Sequence, residues 1–406
     1  IIHVAGWHQY PKYTYNYAHL IKLAHANGIL VYAWIEPPQV SQKFWNDHPE
    51  WREKNYRNQD IHKDENLKAS WRYPVALTDK HCFKAATDVY LDLLLKNDFD
   101  GVNIAEMNFE AGKGFNDPEV FTPMHASAIR EFHNRYGYNL KDIFNPGSSG
   151  YWKNNPKVKA DVIRYRTDKV VEFHEALLGE LKKFAITRPG FNIIVTFYDT
   201  YFSPELTEYH GVSSDRMIEL QKKYNFMLQP EDPQNKWSTN PNRYIEMGRY
   251  YSRRMADSSK LMLDLNILNF RGKDEMTPFP TLMQTGLESY QLINAASKGA
   301  PRFTIYSESS CNPQDINFFS YASAGLVDYH PTENGFEGNS PVSFMLQLPK
   351  DIKAISVDGE NLVGYREMLY LIPAGKHTIK LHLNEIPGFS TDELQPALLS
   401  FSGHLF

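Results

Sequence analysis

The sequence predicts an α/β fold: a (β/α)8 TIM barrel over residues 1–330, its first strand lying before Ile1, then a small antiparallel β-sandwich over 335–406. Three observations predict it. Short apolar runs alternate with longer segments of helical period through the first three quarters of the chain. Those runs end, one after another, in polar or acidic residues. Near Leu326 the rhythm changes to short strands separated by turn residues. Strands alternating with helices indicate βα units and a parallel sheet, whereas closely spaced strands and turns indicate an antiparallel one.

The strand runs fall at 1–7, 29–36, 100–106, 192–199, 225–231, 261–266 and 302–308. Helical period fills 17–26, 82–95, 126–136, 158–184, 214–224, 242–258 and 281–298 between them. Gly28 and Gly299 stand where a helix hands over to a strand, as expected of C-cap positions. Seven strands are one short of a full barrel, so the first is expected upstream of Ile1. An open doubly wound sheet is the alternative. The barrel is preferred because polar residues close nearly every strand, where a doubly wound sheet would concentrate them at one switch point. In the C-terminal part, strands are expected at 342–348, 352–359, 368–372 and 377–383, with a closing strand at 397–401. Asp358-Gly359 is the clearest hairpin signal among them.

Composition narrows the function classes. The chain has 406 residues, 42% hydrophobic and 22% charged, with a net charge of −5, and it has no long basic cluster that would suit nucleic acid. No apolar run approaches the roughly 20 residues of a membrane span. Cys82 and Cys311 are too few for a disulfide framework or a cysteine metal cluster. The chain opens inside a strand with no initiator Met, so a processed or truncated piece is expected; export is expected too, its signal not visible in this chain. Oligomeric state leaves no signature. The aromatic content is high: 25 Tyr, 24 Phe and 7 Trp. Such side chains suit stacking on sugars, and equally a large aromatic core.

In a barrel every strand's C-terminal end faces one mouth. Those ends present Trp7 and His8, Trp34 and Glu36, Asn103 and Glu106, Tyr198 and Asp199, Glu231 and Asp232, Asp264 and Asn266, and Glu308. Carboxylates close six of the seven. Unpaired carboxylates are costly in a core, so this set belongs at a rim or a site. Metal binding is one use of an acidic mouth, but His3 and His8 are five apart and one strand cannot aim both inward. No metal and no cofactor is therefore expected. Glycoside hydrolysis is the other use, one carboxyl protonating the leaving oxygen while a second attacks or activates water.

Two motifs carry a family resemblance. Ala33-Trp-Ile-Glu-Pro-Pro, followed by His48-Pro-Glu-Trp-Arg52, resembles the segment after the third strand in bacterial glycoside-hydrolase-like TIM barrels and, more distantly, α-galactosidase-type barrels. Ala76-Leu-Thr-Asp79, a helix and then Asn97-Asp-Phe-Asp-Gly-Val-Asn-Ile-Ala-Glu106 resembles the approach to their fourth strand. By that match Ala105 and Glu106 occupy an acidic pair of which Glu106 alone is acidic. The resemblance implies a carbohydrate substrate, with Glu106 as nucleophile or base. It implies a general acid from the sixth strand, here Glu231, with Asp232 beside it. A larger two-glutamate clan would draw the acid from the seventh strand, here Asp264; Glu308 is a third option.

Asn103 is expected to hold a sugar hydroxyl. It differs from Glu106 in strand parity, so both face the mouth only if Glu106 lies just past the strand end. Trp7, Trp34 and Tyr198 are candidate stacking platforms and equally candidate core. His8, Asp199 and Asn266 are further substrate-contact candidates, and Glu36 either bonds a sugar or fixes its loop. Trp51 is expected to pack its loop, and the segments 37–72 and 107–125 to form cleft walls. The leading expectation is a glycoside hydrolase acting on a poly- or oligosaccharide. Its rivals are a glycan-binding barrel without activity and a metal-assisted hydrolase or lyase. The C-terminal sandwich has no Trp and is expected to be structural.

Overall fold

A computed structural model describes residues 2–5, 7–11, 14–61, 72–231, 241–266, 286–306, 328–340, 344–347, 352–362, 369–373 and 375–383. The chain divides into two compact units, Ile1–Pro233 with Arg254–Met262, and Gln234–Arg253 with Leu263–Phe406.

In the first unit the order is β1 (Ile2–Ala5), α1 (Tyr17–Ala26), β2 (Val31–Ile35), α2 (Gln42–Asp47), α3 (Lys80–Lys96) and β3 (Gly101–Ala105). It continues with α4 (Ala126–Tyr136), α5 (Pro156–Thr187), β4 (Asn192–Tyr198), α6 (Glu205–His210), α7 (Ser214–Tyr224) and β5 (Met227–Glu231). Later in the chain come α8 (Arg243–Ser252), β6 (Met262–Asn266), α9 (Gly286–Gly299) and β7 (Arg302–Tyr306). The strands make one parallel sheet in sequence order, β1 through β7. That order has no reversal, which sets aside the doubly wound alternative. An eighth strand and closure of the sheet are not among the described residues, so a seven-stranded parallel sheet stands where a complete (β/α)8 barrel was expected.

Local chemistry explains the element ends. Asp79 caps α3 by accepting from the amides of His81 and Cys82, and Cys82, Ala86, Tyr90 and Leu94 then fall on its buried face. Asn155 and Pro156 start α5 two residues before the expected 158. Gly28 follows α1 in the left-handed region at φ 69°, as a C-cap glycine should. Asp100-Gly101 serves the opposite end of β3 from the site. The Asp100 carboxylate accepts from the Val31 amide and His25, tying β3 to β2. A Cβ on Gly101 would lie 2.6 Å from the Tyr32 ring, so only glycine fits there.

Register sorts the sheet into two faces. Val31, Ala33, Ile35, Val102, Ile104, Ile193, Val195, Phe197 and Leu228 make a buried apolar face. The other face carries Trp34 beside Asn103, Ile194 and Met227, then Ala105 beside Thr196 and Gln229, then Tyr198 beside Glu231. It is apolar at its base, where Tyr32, Ile194, Met227 and Met262 pack together, and polar toward the C-terminal strand ends. This gradient positions the site.

In the second unit, α8 and α9 approach backbone to backbone: a Cβ on Gly248 would lie 2.0 Å from the Gly299 carbonyl oxygen. Gly299 closes α9 without the positive φ expected of a left-handed cap; close packing is what requires glycine there. Its antiparallel part comprises β8 (Asp328–Thr332), β9 (Gly335–Ser340), β10 (Phe344–Gln347), β11 (Ile352–Val357), β12 (Glu360–Leu362), β13 (Leu369–Ile372) and β14 (Gly375–Leu383). A five-stranded sheet ordered β12-β11-β14-β9-β8 and the pair β10-β13 share one core, with Phe336, Ile355 and Ile379 from the former and Leu346, Tyr370 and Ile372 from the latter. Asp358 and Gly359 both take positive φ in the β11–β12 turn, as an Asp-Gly hairpin requires. The expected closing strand at 397–401 lies outside the described residues.

Among the described residues no helix is long and apolar enough to cross a membrane, and no group of three or more His, Cys, Asp or Glu is arranged to hold a metal ion.

Candidate active site

Three acids converge on one cation at the C-terminal ends of β2 and β3. Arg72 Nη2 donates to Glu36 Oε1 at 3.3 Å and to Glu106 Oε2 at 3.2 Å, and Nη1 donates to Glu110 Oε1 at 2.7 Å. Burial alone would lower the Arg72 pKa, but the acids around it, Glu110 first, outweigh it and hold the guanidinium charged. Tyr198, at the end of β4, donates its hydroxyl to Glu106 Oε2 at 2.7 Å. Burial, then the charges of Glu106 and Glu231, raise the Tyr198 pKa well above its ordinary value, so the phenol keeps its proton and remains a donor.

Glu106 takes its position from a break in strand geometry. β3 ends at Ala105, and Glu106 turns into the left-handed region at φ 48°, where a residue with a Cβ is strained by roughly 1 kcal/mol. Its amide still bonds the Thr196 carbonyl at 3.0 Å, so the sheet holds it while the side chain turns inward. This resolves the parity conflict with Asn103: Glu106 lies just past the strand end. Strain held in place by surrounding bonds marks residues worth testing for function.

The acids differ in environment. The Glu36 side chain is 7% exposed and that of Glu106 18%. Burial pushes the Glu36 pKa up to about 8, reinforced by the charge of Glu106 and opposed by Arg72 and by a hydrogen bond from Trp34. Burial thus favours the protonated form of Glu36. Its Oε2 lies 3.3 Å from His8 Nε2, and burial, then Arg72, lowers the His8 pKa to about 4. With the imidazole neutral, this is a close contact and not an ion pair. Glu110 is held through its backbone: the Thr122 hydroxyl accepts from its amide and donates to its carbonyl, and Arg166 Nη2 donates to the same carbonyl.

Other expected residues are placed as follows. Asn103 is fully buried, its Oδ1 accepting from Thr196 Oγ1 at 2.9 Å, while its Nδ2 has no partner among the described residues. Trp34 lies with its ring 5.6 Å from that of His3. Trp7 packs edge-on against Phe44 and Tyr90. Asp199 is buried and accepts from the amides of Tyr201 and Phe202, building the turn after β4. Glu231 is half-buried at the end of β5, beside Tyr198 in register. Asp264 belongs to the second unit and accepts from the Thr304 hydroxyl. Asp232, Glu308 and the Asn266 side chain lie outside the described residues.

The structure thus brings Glu106, Tyr198, Glu36 and His8 into one network, with Glu231 beside Tyr198. Sequence reasoning missed Arg72, Glu110 and His210. Glu110 follows the β3 motif by only four residues, so a search of the loop beyond the strand end could have found it. Nothing in the sequence marks Arg72. The His48-Pro-Glu-Trp-Arg52 motif proves to be a packing device: His48 stacks on Trp51 at 4.2 Å, and the Arg52 guanidinium lies 3.7 Å from the Trp45 ring centre.

No family model matches the chain, and no curated protein matches it. In structure it is distantly similar to glycoside hydrolases. The PgaB (BpsB) glycoside hydrolase domain from Bordetella bronchiseptica is 14% identical, over 74% of this chain and 78% of that one, with a TM-score of 0.49. The catalytic domain of β-amylase from Paenibacillus polymyxa is 9% identical, over 79% and 89%, with a TM-score of 0.47. A β-galactosidase from the psychrophilic Marinomonas ef1 is 10% identical, over 75% of this chain and 49% of that one, with a TM-score of 0.46. At these identities none of the three gives a residue here a role.

Proposed function

We propose that the protein is a glycoside hydrolase acting on a poly- or oligosaccharide, with Glu106 as nucleophile or base and Glu231 as general acid. One observation carries this: a partly exposed carboxylate, aimed by a strained strand end and held by Tyr198 and Arg72, stands at the polar end of a parallel sheet. β3 and β5 flank β4, so the backbones bearing the two acids are about 10 Å apart, from the ~4.8 Å spacing of adjacent strands. A Glu231 side chain leaning toward Tyr198, as that of Glu106 does, would bring the carboxyls into the roughly 5–9.5 Å range used in glycoside hydrolysis. The acid would protonate the glycosidic oxygen, while Glu106 would attack the anomeric carbon or deprotonate the attacking water. Tyr198 and Arg72 would hold its carboxyl in place for either step.

The test is a polysaccharide-digestion screen with wild type and Glu106→Gln. Hydrolysis by wild type, reduced at least about 1000-fold in the variant, is expected. Hydrolysis that survives the substitution unchanged sinks the assignment.

A second reading, glycan binding without hydrolysis, is favoured by one observation: Glu36, Glu106 and Glu110 are all bonded to Arg72. Wild type that retains glycans on an array but cleaves none of them would establish it. Export of the chain is part of the proposal and is checked by cell fractionation.

A further inference from the structure

His210, which the sequence did not single out, stands against the Glu106–Tyr198 pair. Its ring centre lies 5.1 Å from that of Tyr198, tilted by 54°. Three contacts fix it. His210 Nδ1 lies 2.9 Å from the Phe109 carbonyl oxygen, and the Phe109 amide donates back to the His210 carbonyl at 3.1 Å. Arg166 donates to the carbonyls of Glu208 and Tyr209, clamping the end of α6 that carries His210, and to that of Glu110 in the loop beyond β3. A carbonyl only accepts, so Nδ1 carries the proton. In a neutral ring, Nε2 is then a lone-pair acceptor pointing away from Phe109. Burial lowers the pKa of His210, which keeps the ring neutral at physiological pH. Nε2 has no hydrogen bond among the described residues.

Resting on the reading of Glu106 as the acting carboxylate, we propose that His210 is a substrate-contacting residue whose Nε2 accepts a hydrogen bond from a hydroxyl of the sugar held at Glu106. The sugar unit there must offer an O–H donor, because Nε2 carries a lone pair and no proton. A rigid neutral acceptor discriminates against a sugar lacking that hydroxyl, since its lone pair would be left buried and unpaired.

The bland account is that the imidazole only packs on Tyr198. His210→Phe keeps an aromatic ring there and removes the acceptor, while His210→Gln restores a polar acceptor. Both are assayed with wild type on cello-, chito-, malto- and galacto-oligosaccharides, for cleavage and for binding by calorimetry. On whichever oligosaccharide wild type cleaves, His210→Phe is expected to lower kcat/KM about 10-fold, mostly through KM, with His210→Gln recovering part of it. An unchanged kcat/KM in His210→Phe overturns the proposal, as does loss of the native thermal transition in both variants. Wild type that binds without cleaving removes the hydrolase reading alone, and weaker binding by His210→Phe then still supports the contact; equal binding overturns it. Wild type that neither cleaves nor binds overturns both.

Discussion

Asp199 and Glu106 close neighbouring strands of the same sheet, and the structure spends them differently. Asp199 is fully buried, and its two carboxylate oxygens accept the amides of Tyr201 and Phe202 at 3.1 and 2.8 Å. Among the described residues Glu106 gives no backbone amide its carboxylate; it bonds Tyr198 and Arg72, and is 18% exposed. An acid that satisfies backbone donors builds a turn, and one held only by other side chains can exchange those bonds for a ligand. Both read alike in the sequence, as acids ending apolar runs.

The largest effect should come from removing the turn builder. Asp199→Ala leaves two amides without their charged acceptor in a buried turn. A loss of about 4 kcal/mol in urea unfolding is expected, since bonds to charged groups contribute roughly 1.5–3 kcal/mol each. Glu106→Gln keeps the size and one acceptor, and relieves carboxylate crowding around Arg72, so its stability should change by less than about 1 kcal/mol. Equal losses in the two variants would erase the distinction between them.

That distinction marks the limit of what could be read in the sequence. Strand runs, helix periods and the Asp358-Gly359 hairpin were legible because hydrophobic period and turn chemistry are local. The presence of Glu106 at a strand end was legible too, as was its parity conflict with Asn103. Its left-handed backbone was not, because that conformation is imposed by the Thr196 carbonyl and by Tyr198 and Arg72, all far off in sequence. Arg72 was illegible for the same reason: nothing near it in the chain distinguishes it from a surface arginine, and three acids from two other segments define its role. The Asp100-Gly101 motif was visible, but its purpose was not. It ties β3 to β2 and makes room for Tyr32, at the end of the strand remote from the acids.

A pH experiment sharpens the comparison within the cluster. The Glu36 pKa rises from 4.5 to about 8 on folding, so the native state binds the extra proton between those values. Stability from this group is full below about pH 4.5 and falls as pH rises toward 8. His8 runs the other way: its pKa falls from 6.5 to about 4, so its contribution is present above 6.5 and is lost as pH falls toward 4. Glu36→Gln mimics the protonated acid. It should be more stable than wild type at pH 9 by on the order of 2 kcal/mol, with the gap shrinking toward pH 5. A gap that does not change with pH would mean that Glu36 is ionised throughout.

An effect on stability alone is expected at the motif that first suggested a family. Trp51 stacks on His48 and lies 5.8 Å from Phe44, remote in contacts from Glu106, Arg72 and Tyr198. It is half-buried, so truncation removes contact area without opening a sealed cavity. Trp51→Ala should cost about 1–2 kcal/mol, toward the low end for large-to-small changes because the site is not closed. The variant should retain wild-type kcat/KM or glycan affinity at temperatures where it stays folded. A loss of affinity at unchanged stability would move the His48-Pro-Glu-Trp turn from packing to the site, and the cleft wall would then extend to that turn.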